Sequence, residues 1–395
     1  MNISSTLIRA IVAYYAGTLV VVLGVILGYE HLAPERYRPT RPPSIPAAVA
    51  RQDANWYSEI AKEGYRYDPA GRSNVAFFPL FPLLGCAAAV LLRSTEVVGL
   101  LVVSQVCLLA TYVAFQRYLQ ARSPNDPSLV EYSLLALVFW PPTFFFRLPY
   151  SESLFALLCI LFLHSLVAKK SLWWTAALCG LATATRPVGI GLVIPFAVVA
   201  ARKVLAKELK PLSFALVLLV SISGLLTFMA YQQFALGDAL AFARAQEHWQ
   251  LQSVPAWRKL LALLTFEPLW VVYTGGPLES WQVQGVDPLL NLQLANPLYV
   301  FVAVVSVGWG SWNRWLTWEE SLTAAALILV PYVTKSIETG MASQGRYVSV
   351  AMPMYLVPGE LLRRLGPEWS VYVVAPAALL MGLLLHAALP AQPSS

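Results

Sequence analysis

Three uncharged runs, 11–28, 97–116 and 211–236, constrain this 395-residue chain more than anything else in it. Each approaches or exceeds the roughly 20 apolar residues with which a helix crosses a ~30 Å hydrocarbon layer. Charged residues make up only 12% of the chain, against about 25% in a soluble domain, so most of its surface is built for lipid. Arg9 ahead of the first run gives the N-terminus the look of a signal peptide. The run is too long for that, and no small-x-small cleavage site follows, so it reads as a retained first transmembrane helix.

The four cysteines, Cys86, Cys107, Cys159 and Cys179, all lie inside apolar segments, and none forms a CxxC pair. They read as small buried hydrophobes, not as a disulfide framework or a zinc site. The formal net charge of +6 comes from Lys and Arg beside the expected spans. It is a topology signal, and nucleic-acid binding finds no support.

After the first helix comes a proline-rich, charged stretch, 29–76, the first large external loop, with short surface helices. Its segment 53–63 reads as a helix stopped by Gly64. Further spans are expected near 77–92, 97–116, 132–146, 153–167, 172–185, 188–201, 211–236, 297–310, 321–334, 347–362 and 371–385, for a total of about eleven or twelve. A second external loop covers 237–296, provided its apolar piece at 260–275 lies on the surface. Basic clusters at Lys169–Lys170, Arg202–Lys210 and Arg363–Arg364 belong in the cytoplasm. The segment 172–201 reads as a hairpin of two short helices meeting at Arg186–Pro187. The count leaves a parity conflict: of the three spans between 77 and 146, one has to be partial or re-entrant, or the first helix reversed.

Charges at the edges of spans are costly and invite functional readings. Asp53 precedes the 53–63 helix; it reads as an N-cap, as a general base taking a proton from an acceptor hydroxyl, or as both. The block 74–83, with Phe77, Phe78, Phe81 and two prolines, reads as an interfacial aromatic anchor or as the lining of a lipid groove. Glu152, after Tyr150, suits a helix N-terminus, an arginine partner or a sugar hydroxyl. Arg186, at a helix break, and Arg346 are candidates for binding the phosphate of a donor, with snorkelling as the plain alternative. Arg51, Asn55, Trp56, Tyr57, Asn74, Tyr150, Glu152 and Gln344 are candidate substrate contacts. Glu247-His248-Trp249 lies in an external loop and reads as a substrate contact or as a solvated loop. The four histidines are scattered without metal-ligand spacing, and no P-loop, GxSxG or dinucleotide fingerprint is present.

Several blocks together resemble the PIG-V family of GPI mannosyltransferases and their prokaryotic relatives. They are Asp53-Ala54, Ile60-Ala61, Gly64-Tyr65, Ala76-Phe77-Phe78-Pro79 and Phe81-Pro82, then the run from Pro149-Tyr150-Ser151-Glu152-Ser153 to Leu158. The match is close over about 51–190, and the C-terminal half matches in hydropathy. The resemblance implies an all-α polytopic membrane protein with a GT-C glycosyltransferase architecture as a single domain over 1–395. It also implies a polyprenyl-phosphate sugar as donor and Asp53 in the place of the family's functional aspartate. Gln52-Asp53 stands where the family has Trp-Asp, and Arg186-Pro187-Val188-Gly189 where it has Arg-Ser-Asn-Gly. These departures bear on the acceptor and the exact sugar.

The resulting expectation is an inverting mannosyltransferase with Asp53 as base. Its acceptor is a glycan, lipid or protein hydroxyl on the extracytoplasmic face of the membrane (the plasma membrane in a prokaryote, the endoplasmic reticulum in a eukaryote). No cofactor is expected, since arginines can neutralise the leaving phosphate without a divalent metal. The rivals are a transporter or flippase of lipid-linked sugars and a non-catalytic assembly partner with the same fold. Against the transporter, the chain has no matching halves.

Overall fold

A computed structural model describes residues 3–31, 49–274 and 292–388. Parts of both expected external loops, 32–48 and 275–291, lie outside the described residues. The chain is all-helical and polytopic. In order come α1 (Ile3–His31), α2 (Asp53–Glu63), α3 (Leu80–Leu92), α4 (Glu96–Arg122), α5 (Pro127–Phe139), α6 (Glu152–Val167), α7 (Leu172–Thr185), α8 (Ile190–Leu205), α9 (Pro211–Ser221) and α10 (Ser223–Leu236). They are followed by α11 (Ala241–Ala245), α12 (Ala256–Leu264), α13 (Glu267–Thr274), α14 (Leu292–Trp312), α15 (Trp318–Lys335), α16 (Gln344–Val348) and α17 (Leu356–Ala388). Helices carry the apolar runs because a helix satisfies its own backbone polar groups, which lipid cannot. Large apolar side chains remain exposed along them, including Ile8, Val12, Leu19, Val90 and Leu212, as expected where hydrocarbon is the solvent.

Among the described residues, five stretches are long and apolar enough to cross a membrane, and seven if each of two bent pairs is one span. Eleven or twelve were expected; short helices, bent pairs, three charges on the 18-residue α15 and the joining of two expected spans in α17 account for the difference. Helices α3, α6 and α7 have 13, 16 and 14 residues. At 1.5 Å per residue they reach about 20–24 Å, short of ~30 Å. The expected span at 132–146 is broken, since α5 bends by 77° into a 3-10 turn over Pro141–Arg147. The run 211–236 bends by 60° between α9 and α10. The apolar piece at 260–275 is divided between α12 and α13, both too short to cross. The hairpin expected over 172–201 is present as α7, a turn at Pro187–Gly189, and α8.

The basic clusters converge on one end of the bundle. Arg9 on α1 pairs with Glu131 on α5 at 2.8 Å, and the Gln116 amide on α4 donates to the Thr6 carbonyl. Arg122 forks onto Glu320 of α15, Arg202 lies 3.9 Å from the Trp318 ring centroid, and Arg363 faces Asp126. The parity conflict then resolves. Helix α3 starts beside Phe77 and Phe78 and runs away from the basic end to a turn at Arg93–Thr95; α4 returns past it, with Gly99 against Gly85 and Ala89. On its way Ser104 bonds the Tyr150 carbonyl, and α4 ends at Arg122. The partial crossing is α3.

Helix α17 breaks at Gly366, whose φ of 81° is left-handed. One limb approaches the basic end and the other returns along α1, where Gly24 and Gly382 meet backbone to backbone. A Cβ on Gly24 would lie 2.3 Å from the Gly382 Cα. Small residues at crossings replace the hydrophobic drive that helices lack in lipid. Gly382→Leu is expected to lower stability in detergent by about 1–3 kcal/mol through overpacking, read as a fall in thermal midpoint.

Candidate active site

Four charged groups from four separate elements meet at the end of the bundle opposite the basic clusters. Each is placed there by a local interruption of helix. Arg186 follows α7 and precedes Pro187, whose ring disfavours helical backbone at the preceding residue. It is accordingly extended, at φ −156° and ψ 151°. Glu152 is the first residue of α6 and is 0% exposed. Arg346 sits in the short α16, entered through left-handed residues at Met341 (φ 64°) and Ser343 (φ 62°), and Asn296 holds the Gly345 N–H at 3.0 Å. Non-glycine residues in that region carry strain of order 1–3 kcal/mol each, held in place by the surrounding structure.

Asp53 is the first residue of α2, and this corrects one sequence reading. The N-cap position belongs to Gln52, at φ 51°, and no side chain caps the helix. The Asp53 carboxylate turns inward, with Oδ2 2.5 Å from Nη1 of Arg346. It keeps 25% of its side-chain surface exposed. The Nε of Arg346 donates to Oε1 of Glu152, as does an Nη1 of Arg186. One buried carboxylate therefore carries two guanidinium groups, and Arg346 bridges from it to Asp53. The second oxygen of Glu152 has no partner among the described residues. Glu152 thus stands at a helix N-terminus and also has arginine partners, two of the readings open for it.

Beside this cluster is a cavity of about 570 Å³, within the usual range for a ligand site. Asp53, Tyr57, Arg186 and Arg346 line it, with Phe77, Phe78, Val188 and Phe242 as part of an apolar wall. Tyr57 bonds Ser151 at 2.8 Å, and burial pushes its phenol well above the ordinary range, so it remains protonated.

The other candidates lie outside the cavity lining. Tyr150 lies under the Arg346 guanidinium, 4.8 Å from ring centroid to Cζ, and its hydroxyl bonds the Arg51 carbonyl. Trp56 stacks on Phe77. Asn74 is buried, accepting from the Arg66 N–H and donating to the Gly64 carbonyl. Gln344 donates to the Pro331 carbonyl on α15. Asn55 is exposed. None of Arg51, Asn55, Trp56, Asn74, Tyr150, Glu152 or Gln344 lines the cavity.

Sequence reasoning passed over Gln246, Lys259, Lys335, Glu338 and Tyr347, all of which line it. Glu247 and Trp249, from the loop read as substrate contact or solvated, line it too, while His248 bonds the Pro69 carbonyl. A usable signal existed for Lys335: it is a basic residue ending an apolar run on the side away from the basic clusters, against the positive-inside bias. Among the described residues no three His, Cys, Asp or Glu side chains gather as a metal-ligand set.

No family model matches the chain, and no curated protein matches it. Among solved structures it is similar to the oligosaccharyltransferase of Archaeoglobus fulgidus. A structure of that protein with zinc and sulfate matches at TM-score 0.44 and 13% identity over 95% of this chain and 54% of the other. A second, tethered to an acceptor peptide bearing an NVT sequon, matches at TM-score 0.44 and 12% identity over 95% and 55%. The chain thus spans about half the length of these structures.

Truncating one partner of a buried ion pair leaves the other charge uncompensated, at about 3–5 kcal/mol. Glu152→Ala is therefore expected to cost stability on that scale in detergent unfolding. Arg186→Ala placed on top should cost about 1–3 kcal/mol less than the sum of the two single changes; additive losses would contradict the shared pair.

Proposed function

We propose that the chain is an inverting GT-C-type glycosyltransferase. In this reading it moves a hexose, mannose by the sequence resemblance, from a polyprenyl-phosphate sugar to an acceptor hydroxyl on the extracytoplasmic side. The observation that carries the reading is the partly exposed Asp53 carboxylate in a cavity wall beside Arg346. Together they offer an acid–base group next to a cation, which is what a sugar-phosphate transfer needs. The convergence of the basic clusters at the opposite end supports the orientation, because Lys and Arg are enriched on the cytoplasmic side.

In the mechanism, the prenyl chain lies along the apolar wall near Phe77 and Phe78, and the phosphate meets the arginine side. Arg186 and Arg346 border it there and steady it without leaving their carboxylates. Each guanidinium has five N–H donors, so pairing with Glu152 and Asp53 leaves others for phosphate oxygens. The acceptor hydroxyl approaches C1 from the face opposite the phosphate and gives its proton to Asp53 as the C1–O bond breaks. Glu152, below the cavity, holds both arginines in place and does not touch substrate. The acceptor hydroxyl becomes more acidic as it bonds C1, so Asp53 need only take its proton late in the displacement.

Purified protein in nanodiscs, given polyprenyl-phosphate mannose and candidate glycan or lipid acceptors, tests this by product mass. Asp53→Asn should insert normally and lose transfer by about 10²–10⁴-fold, the usual contribution of a general base. Near wild-type transfer by that variant would remove Asp53 from the role. If the wild type moves lipid-linked sugar across vesicles and forms no glycosidic bond, the transporter reading replaces this one.

A further inference from the structure

Four cations line the cavity: Arg186, Lys259, Lys335 and Arg346. Three already face carboxylates. Arg186 is on Glu152, Arg346 on Glu152 and Asp53, and Lys259 on Glu338 at 3.0 Å. Lys335, at the end of α15, differs from them. Its ammonium donates to the neutral side-chain oxygen of Gln246 and lies 5.8 Å from the ring centroid of Tyr347. No carboxylate among the described residues pairs with it. Arg186 lies over the same ring, at 5.2 Å, so Tyr347 places Lys335 next to the charged cluster. Together Arg186, Arg346 and Lys335 outnumber Asp53 and Glu152 by one positive charge. Glu247, which also lines the cavity, is exposed to solvent.

An entering anion takes the cation that loses least in the exchange. Drawing Arg346 or Arg186 off Glu152 would expose a buried carboxylate, whereas Lys335 gives up only an amide oxygen. Resting on the glycosyl-phosphate reading above, we propose that Lys335 is the principal ligand of the donor phosphate and supplies the one charge that a phosphodiester needs. Arg346 then stays on Asp53 and Glu152.

The charges also balance through the reaction. The C1–O bond breaks with its electron pair going to the phosphate oxygen, the acceptor oxygen bonds C1, and the acceptor proton goes to Asp53. The phosphodiester with one negative charge becomes a monoester with close to two. As Asp53 becomes neutral, the cluster's excess rises from one positive charge to two, so the leaving phosphate is matched as it forms.

The test uses the full chain in phosphatidylcholine nanodiscs, with polyprenyl monophosphate and uncharged polyprenol as probes in a direct binding assay. Lys335→Gln should weaken polyprenyl monophosphate binding by about 10- to 100-fold, the scale of a hydrogen bond to a charged group. Polyprenol binding should not change, and Lys335→Arg should recover most of the loss. In transfer assays the donor KM should rise and the acceptor KM hold. Lys335→Gln binding the monophosphate as tightly as wild type overturns the proposal while leaving the wider reading intact. A wild type that does not distinguish monophosphate from polyprenol removes the glycosyl-phosphate reading and this proposal with it.

Discussion

The buried Glu152 carboxylate, held by two arginines, is the interaction on which the rest of this end of the molecule depends. It joins α6, the α7–α8 hairpin and α16, which come from distant parts of the sequence. An ion pair taken out of water is seldom a net source of stability, since the desolvation of both partners offsets most of the attraction. Its value here is positional. It requires α6 to begin, α7 to end and α16 to turn at one place, and Arg346 extends that constraint to Asp53.

This junction also explains the short helices. Helix α6 begins at Glu152, α7 ends just before Arg186, and α3 begins beside the same cavity, so these short helices meet the cluster at their ends. Here the apolar wall and the charges are adjacent, an arrangement suited to a substrate with a hydrocarbon tail and a polar head.

Much of this was legible in the sequence, and for identifiable reasons. Pro187 had to force Arg186 out of a helix, and Gly64 had to end α2, so the hairpin and the surface helix were read correctly. Asp53, Glu152 and Arg186 stood out because charge at the edge of an apolar run has few inexpensive explanations, and the fold brings them to one cluster. Other features depended on contacts between remote segments. Nothing local to Asp53 says that Gln52 adopts a left-handed backbone and turns the carboxylate inward. Nor does hydropathy distinguish a full span from α3, whose 13 apolar residues lead outward from the cavity. Lys335 and Gln246 are 89 residues apart, and only the fold brings them to one wall.

The backbone contact between Gly24 and Gly382 joins α1 to α17, two helices far apart in the sequence. During synthesis α1 enters the bilayer while its main partner is still some 350 residues away. At about 5–20 residues per second, that separation amounts to roughly 20–70 s. Over that interval the glycine-bearing face of α1 rests against lipid, and Arg9 waits for Glu131 on α5. The contact forms only once the second limb of α17 folds back along α1, long after α1 has entered the bilayer.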